Sequence, residues 1–160
     1  MSAVVDDWPP LIGDVDDITL RCHPAEQFLA DAASQVDTPP RFRVGGRVLL
    51  HAHCHQKALW GTTGTELALR LVPDVELEIL DSGCCGMAGA FGYLADRQDL
   101  SRAMAERVLL PAVRGAPDSD VVATGTSCRR QVADLSGATA EHPLVFLRAR
   151  LLDQIQPFAE

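Results

Sequence analysis

Cys84 and Cys85 stand side by side in Gly83-Cys84-Cys85-Gly86. Adjacent cysteines bridge poorly, because a disulfide wants Cα atoms about 5.5 Å apart in a specific geometry. Two thiols on one tight, glycine-flanked turn can instead point at a common centre. Cys54 lies upstream and Cys128 downstream of the pair. Four thiols gathered this way suit a metal ion or an iron–sulfur cluster, both of which bind thiolate. The competing reading is four small buried hydrophobes, since free cysteine is often buried. Adjacent cysteines between glycines are uncommon as core filler. Cys22 lies apart, before Pro24, and reads as an ordinary thiol.

The elements that must position these residues follow from pattern. Arg47 to Ala52 reads as a buried strand, Val75 to Leu80 as an alternating strand, and Asp120 to Ala123 as a third. Ile18 to Arg21 is a further strand candidate, and Ala138 to Glu141 a last one. Helical spacing covers Pro24 to Gln35, Thr65 to Val72, Leu94 to Val113, Cys128 to Leu135 and Pro143 to Ile155. Strands alternating with helices predict an α/β fold: a three-layer, mostly parallel sheet with helices on both faces. His51-Ala52-His53-Cys54, Gly83-Cys84-Cys85 and Gly125-Thr126-Ser127-Cys128 each follow a predicted strand. The cysteines are therefore expected at the carboxyl ends of the strands, where open α/β sheets build their sites.

Local chemistry agrees. Gly83 and Gly86 permit tight turns and leave room for an inorganic group. Cys128 is expected at a helix start, where partial positive charge favours thiolate. Thr126 or Ser127 would cap that helix. Lys57, Arg129 and Arg130 are nearby cations that would offset thiolate charge. His51, His53 and His55 alternate around Cys54. If that stretch is extended, they share a face opposite Cys54. If the chain turns after His53, His55 is the best candidate to join the centre, as ligand or as hydrogen-bond donor to sulfur. His142 falls at a late strand end on the same edge.

Composition bounds the class. The chain has 160 residues, 22 acidic against 14 basic, and a net charge of −8. One domain over 18–160 is expected, after a flexible lead-in over 1–17. No basic stripe argues for nucleic acid. No apolar run approaches the roughly 20 residues of a membrane span. The acidic start lacks the features of a signal peptide, so the expectation is a cytoplasmic protein. There, five cysteines point to metal or redox chemistry before disulfides.

Three motifs carry a resemblance. They are His51-Ala52-His53-Cys54-His55-Gln56-Lys57, Gly83-Cys84-Cys85-Gly86-Met87-Ala88-Gly89 and Gly125-Thr126-Ser127-Cys128-Arg129-Arg130-Gln131. Together they resemble the cysteine-rich CCG domain over roughly residues 44–150. That domain occurs in heterodisulfide reductase and in the iron–sulfur subunits of glycolate oxidase and anaerobic glycerol-3-phosphate dehydrogenase. It also ends large FAD-linked D-2-hydroxyacid dehydrogenases, which the three motifs resemble most. The resemblance implies Cys54, Cys84, Cys85 and Cys128 as ligands of an iron–sulfur centre. In the fullest motif the last segment ends Cys-x-x-Cys and holds a non-cubane cluster. Here the second position is Gln131, which leaves the four thiolates of an ordinary 4Fe-4S cluster. Zinc is equally satisfied by four thiolates, or by three and a histidine.

The chain has one such cysteine-rich repeat where family members usually carry two. It lacks the ferredoxin-like cysteine runs and any recognisable FAD-binding region. The implied role is an electron-transfer component of a flavin-linked 2-hydroxyacid oxidoreductase. Its partners would be a flavoprotein subunit or domain carrying FAD and a ferredoxin-like electron relay. Two other classes stay open: a structural zinc-binding docking domain, and a metal-free thiol redox protein using Cys84, Cys85 or Cys128.

Overall fold

The computed structural model describes residues 5–13 and 16–152. Four strands form one all-parallel sheet in the order β2-β1-β3-β4. They are β1 (Arg47–His51), β2 (Glu76–Ile79), β3 (Asp120–Ala123) and β4 (Ala140–Glu141). The helices are α1 (Trp8–Ile12), α2 (Asp16–Thr19), α3 (Ala25–Ser34), α4 (Cys54–Trp60), α5 (Thr63–Leu69), α6 (Gln98–Ala105), α7 (Leu109–Gly115), α8 (Thr126–Ser136) and α9 (Pro143–Arg150). Among the described residues a 3₁₀ turn spans Phe91–Tyr93.

The central strands β1 and β3 are buried on both faces, whereas the edge strand β2 is largely exposed. Only the first residue of β1 is exposed and the next four are buried, as a strand covered on two faces requires. Parity divides the core. Leu49, Val121 and Ala123 pack with Leu109, Val113 and Val132, together with Cys85 and Cys128. Val48, Leu50 and Val122 pack with Ala30, Leu69, Val72 and Phe146. So α7 and α8 cover one face, and α3, α5 and α9 cover the other. The expected three layers are present.

β1 pairs with β2 through Leu50 opposite Ile79, and with β3 through His51 opposite Ala123. From β1 the chain crosses to β2 on one side. The later strands β3 and β4 lie on the other side. The order therefore reverses between β1 and β3. Connections diverge there above the carboxyl ends, which opens a crevice.

Several expectations need correction. Ile18 to Arg21 is no strand: α2 and a turn occupy it. The long helix expected over Leu94 to Val113 is two helices, α6 and α7, separated by Glu106–Val108. Pro111 is the reason. In a continuous helix its ring would clash with the carbonyl of Arg107, whereas in the first turn of α7 it needs no donor. The segment that starts at Cys54, for which the sequence pattern predicts no element, is α4. The closing helix ends at Arg150, and the part of it expected beyond Leu152 lies outside the described residues.

Leu49 and Leu50 are both buried to within 1%. Truncation of either to alanine should cost about 2–5 kcal/mol in urea unfolding. Only Leu49→Ala opens the face that holds Cys85 and Cys128. It should speed alkylation of the native thiols, and Leu50→Ala should not.

Candidate metal centre

All four predicted cysteines come from segments that leave the carboxyl ends of β1, β2 and β3. Cys54 opens α4, with His53 as its N-cap. Cys84 and Cys85 lie in the loop after β2. Cys128 is in the first turn of α8. The Sγ atoms of Cys54 and Cys84 are 3.9 Å apart. Cys85, Cys128 and a ring nitrogen of His51 lie within 4.8 Å of one another, all buried. Cys128 also feels the charges of Cys54 and Cys84, which places the two groups in one electrostatic neighbourhood.

The loop carrying the pair is fixed from several directions. Gly86 adopts φ +93°, a left-handed conformation that favours glycine. A Cβ there would come within 2.2 Å of the Ser101 carbonyl oxygen. The Gly86 amide donates to Cys84 Sγ at 3.3 Å. Gln131 is buried, and its Nε2 donates to the Cys85 carbonyl at 3.2 Å and to Ser101 Oγ at 3.0 Å. Lys57 Nζ donates to the carbonyls of Ser82 and Gly83. The position where the fullest motif has another cysteine is thus held by a brace of the cysteine loop.

His51 is a site member that sequence reasoning misses. It is 0% exposed, and Nδ1 is 2.6 Å from Ser82 Oγ. Its Nε2 is buried with no hydrogen-bond partner. Strand parity explains its place once the face of the cysteines is known. His51 is two residues beyond Leu49, so both point to the face that also holds Cys85 and Cys128.

The other candidates are placed differently. His55 pairs with Asp6 at 3.0 Å on the surface, and not with a sulfur. His53 lies nearer. Its amide donates to Thr124 Oγ1, and a Cβ on Gly125 would come within 2.6 Å of its ring and 2.8 Å of Cys128 Sγ. Only glycine at 125 allows His53 and Cys128 to approach the backbone this closely. Burial lowers the pKa of His53, against the raising effect of Cys85. His142 caps α9 through Leu144 N and meets Glu26 at 3.3 Å. The expected α8 cap is also corrected: Gly125 is the N-cap, and no side chain caps that end. Arg129 bonds the carbonyls of Ala123 and Thr124, and Arg130 pairs with Asp134, so neither cation is directed at a sulfur. Cys22 lies apart, with its carbonyl accepting from Trp60 Nε1.

The thiols are unequal. Cys128 donates to Cys85, which pulls Cys85 down to about 4 against burial, with His51 and the Met87 amide helping. Cys128 is pushed up by that same bond and by burial. Burial also raises Cys84, and the neighbouring Cys54 and Cys85 add to the rise. Together these make one buried thiolate beside thiols that resist ionisation. A cation among them would reverse that resistance, since thiolates repel one another and attract metal. The orphaned His51 Nε2 fits the same occupant. The close group of His51, Cys85 and Cys128 is a soft donor set that could bind a metal.

Known proteins resemble this chain in part. It is 29% identical over 151 residues to a subunit of the anaerobic glycerol-3-phosphate dehydrogenase of Escherichia coli, across 93% of this chain and 38% of that protein. It is 36% identical over 96 residues to D-2-hydroxyglutarate dehydrogenase of Pantoea ananatis, across 59% of this chain and 9% of that protein. The Pseudomonas putida protein of the same name is 34% identical over 106 residues, across 62% of this chain and 10% of its own length. The chain thus spans well under half of each relative. No family model matches it. No solved structure matches it.

Gln131→Ala leaves the Ser101 hydroxyl and the Cys85 carbonyl without their buried donor. It should cost about 1–3 kcal/mol in denaturant unfolding. It should also broaden the NMR signals of residues 84–86 more than those of β4.

Proposed function

We propose that this chain is a metal-binding electron-transfer domain of a flavin-linked 2-hydroxyacid oxidoreductase, a component and not a complete enzyme. The observation that carries the reading is that Cys54 with Cys84, and Cys85 with Cys128 and His51, form two close donor groups beyond the carboxyl ends of β1, β2 and β3. The relatives support it, since they are named as a dehydrogenase and a dehydrogenase subunit. Cys54, Cys84, Cys85 and Cys128 would hold a 4Fe-4S cluster. Such a cluster, when bound, supplies a one-electron relay. FAD would lie on a partner flavoprotein subunit or domain, with a ferredoxin-like relay beside it.

The chain's own residues would hold and tune that group. Met87 and Leu49 exclude water from the side of Cys85 and Cys128. The Gly86 amide, donating to Cys84 Sγ, stabilises charge on that sulfur, and such bonds raise a cluster's potential. Gln131 and Gly86 keep the pair of adjacent sulfurs in one orientation, so little rearrangement accompanies a change of charge. Zinc has its own supporting observation. The unpartnered His51 Nε2 beside Cys85 and Cys128 gives a mixed cysteine–histidine donor set of the kind that closes on zinc.

The test is an element-resolved assay on protein purified without oxygen. About four irons per chain with brown absorbance near 400 nm are expected. One tightly held zinc in colourless protein would replace the cluster reading by the zinc one. Protein without any metal would sink both. Uptake should also depend on pH in a defined direction. Cys84 and Cys128 are held as thiols by burial and neighbouring sulfur, so binding must release their protons. Apparent affinity should fall as pH drops from about 8 to about 6, with proton release measurable in weakly buffered solution.

A further inference from the structure

We propose that Cys54 and Cys84 form a redox modification site: in the metal-free chain they close into a disulfide on meeting a small-molecule disulfide. The four site thiols offer few ways to pair. Cys84 and Cys85 are adjacent and bridge poorly. Cys85 and Cys128 are 3% and 1% exposed, sealed between the sheet, α7 and α8. Cys54 and Cys84 are only partly buried, and their sulfurs are already 3.9 Å apart. A bond needs about 2 Å, a closure that a side-chain rotation and a small loop shift supply.

Access and freedom favour the same pair. A cavity of about 140 Å³ is lined by Gly83, Cys84, Met104 and Arg107, so a small reagent can reach this sulfur. On its amino side a Cβ on Gly83 would meet nothing within 4 Å, so there is open space beside the backbone, and the flexible Lys57 amine that bonds the Ser82 and Gly83 carbonyls can follow a small shift. On its other side Gly86 is pinned against Ser101, which keeps Cys85 in place while Cys84 moves.

The exchange balances in two steps. One protein thiolate displaces a thiolate from the small disulfide and forms a mixed disulfide. The second protein thiolate attacks that protein sulfur, and the second small thiolate leaves. The protein gives up two electrons and two protons, and the small disulfide becomes two thiols. This part stands without any metal. Its consequence rests on the function proposed above: closure removes two of the four sulfurs from a metal.

The experiment uses the reduced full chain, stripped by a chelator and then exposed to glutathione disulfide. After alkylation and trypsin, peptide 48–57 should be joined to peptide 71–97, with fragment ions assigning the link to Cys84 and not Cys85. Peptide 115–129, with Cys128, should carry a free, alkylated thiol. Zinc uptake by the oxidised chain should be lower by about tenfold or more and return on reduction. A link from 71–97 to 115–129, or persistence of all four thiols after prolonged exchange, would overturn the proposal. The two readings fail separately. A reduced chain that binds no metal yet forms the 48–57 link removes the metal reading and leaves this one.

Discussion

The parallel pairing of β1 with both of its neighbours is the constraint on which the rest of the molecule depends. Leu50 opposite Ile79 and His51 opposite Ala123 align three strand ends at one level. Because the strands are parallel, all three chain segments exit on the same edge. Because the order reverses beside β1, the exits diverge and leave space between them. A shift of one residue in β1 would send His51 to the opposite face and bring Leu50 against the sulfurs. The register of a five-residue strand thus decides whether the crevice is lined by donors or by hydrocarbon.

The core supports the site directly. Cys85 and Cys128 belong to the same apolar cluster as Leu49, Leu109 and Val132. They are packed as hydrophobes and are also the chemical groups. That double duty sets the electrostatics. Burial resists ionisation, and the hydrogen bond from Cys128 to Cys85 shares one negative charge between two sulfurs. The metal-free arrangement is therefore tolerable and still charged, which leaves a cation with something to gain.

The large features are legible in the sequence because strand pattern and turn chemistry are local. The pattern places β3 to the residue, and the carboxyl-edge address of the cysteines follows from strand order alone. What fails needs knowledge across the sheet. Alternation alone does not say which face holds Cys85, so it cannot single out His51. The place of His55 beside Cys54 favours it as a ligand, yet α4 starts at Cys54 and the helix turns His55 toward Asp6. The break between α6 and α7 is readable in principle, since Pro111 is visible and its clash is purely local. Ile18 to Arg21 looks like a strand from its apolar residues, but a four-residue segment carries little periodic signal.

Gln131 joins two properties that are usually discussed apart. One side chain braces the backbone of Cys85 and the hydroxyl of Ser101 from within α8. A sulfur at the same position would add a donor and give up an amide that can reach both partners. Gln131 therefore gives the loop stiffness where a sulfur would give it a donor. Its loop is held by the protein before anything binds, so less of the ordering has to be supplied by an occupant.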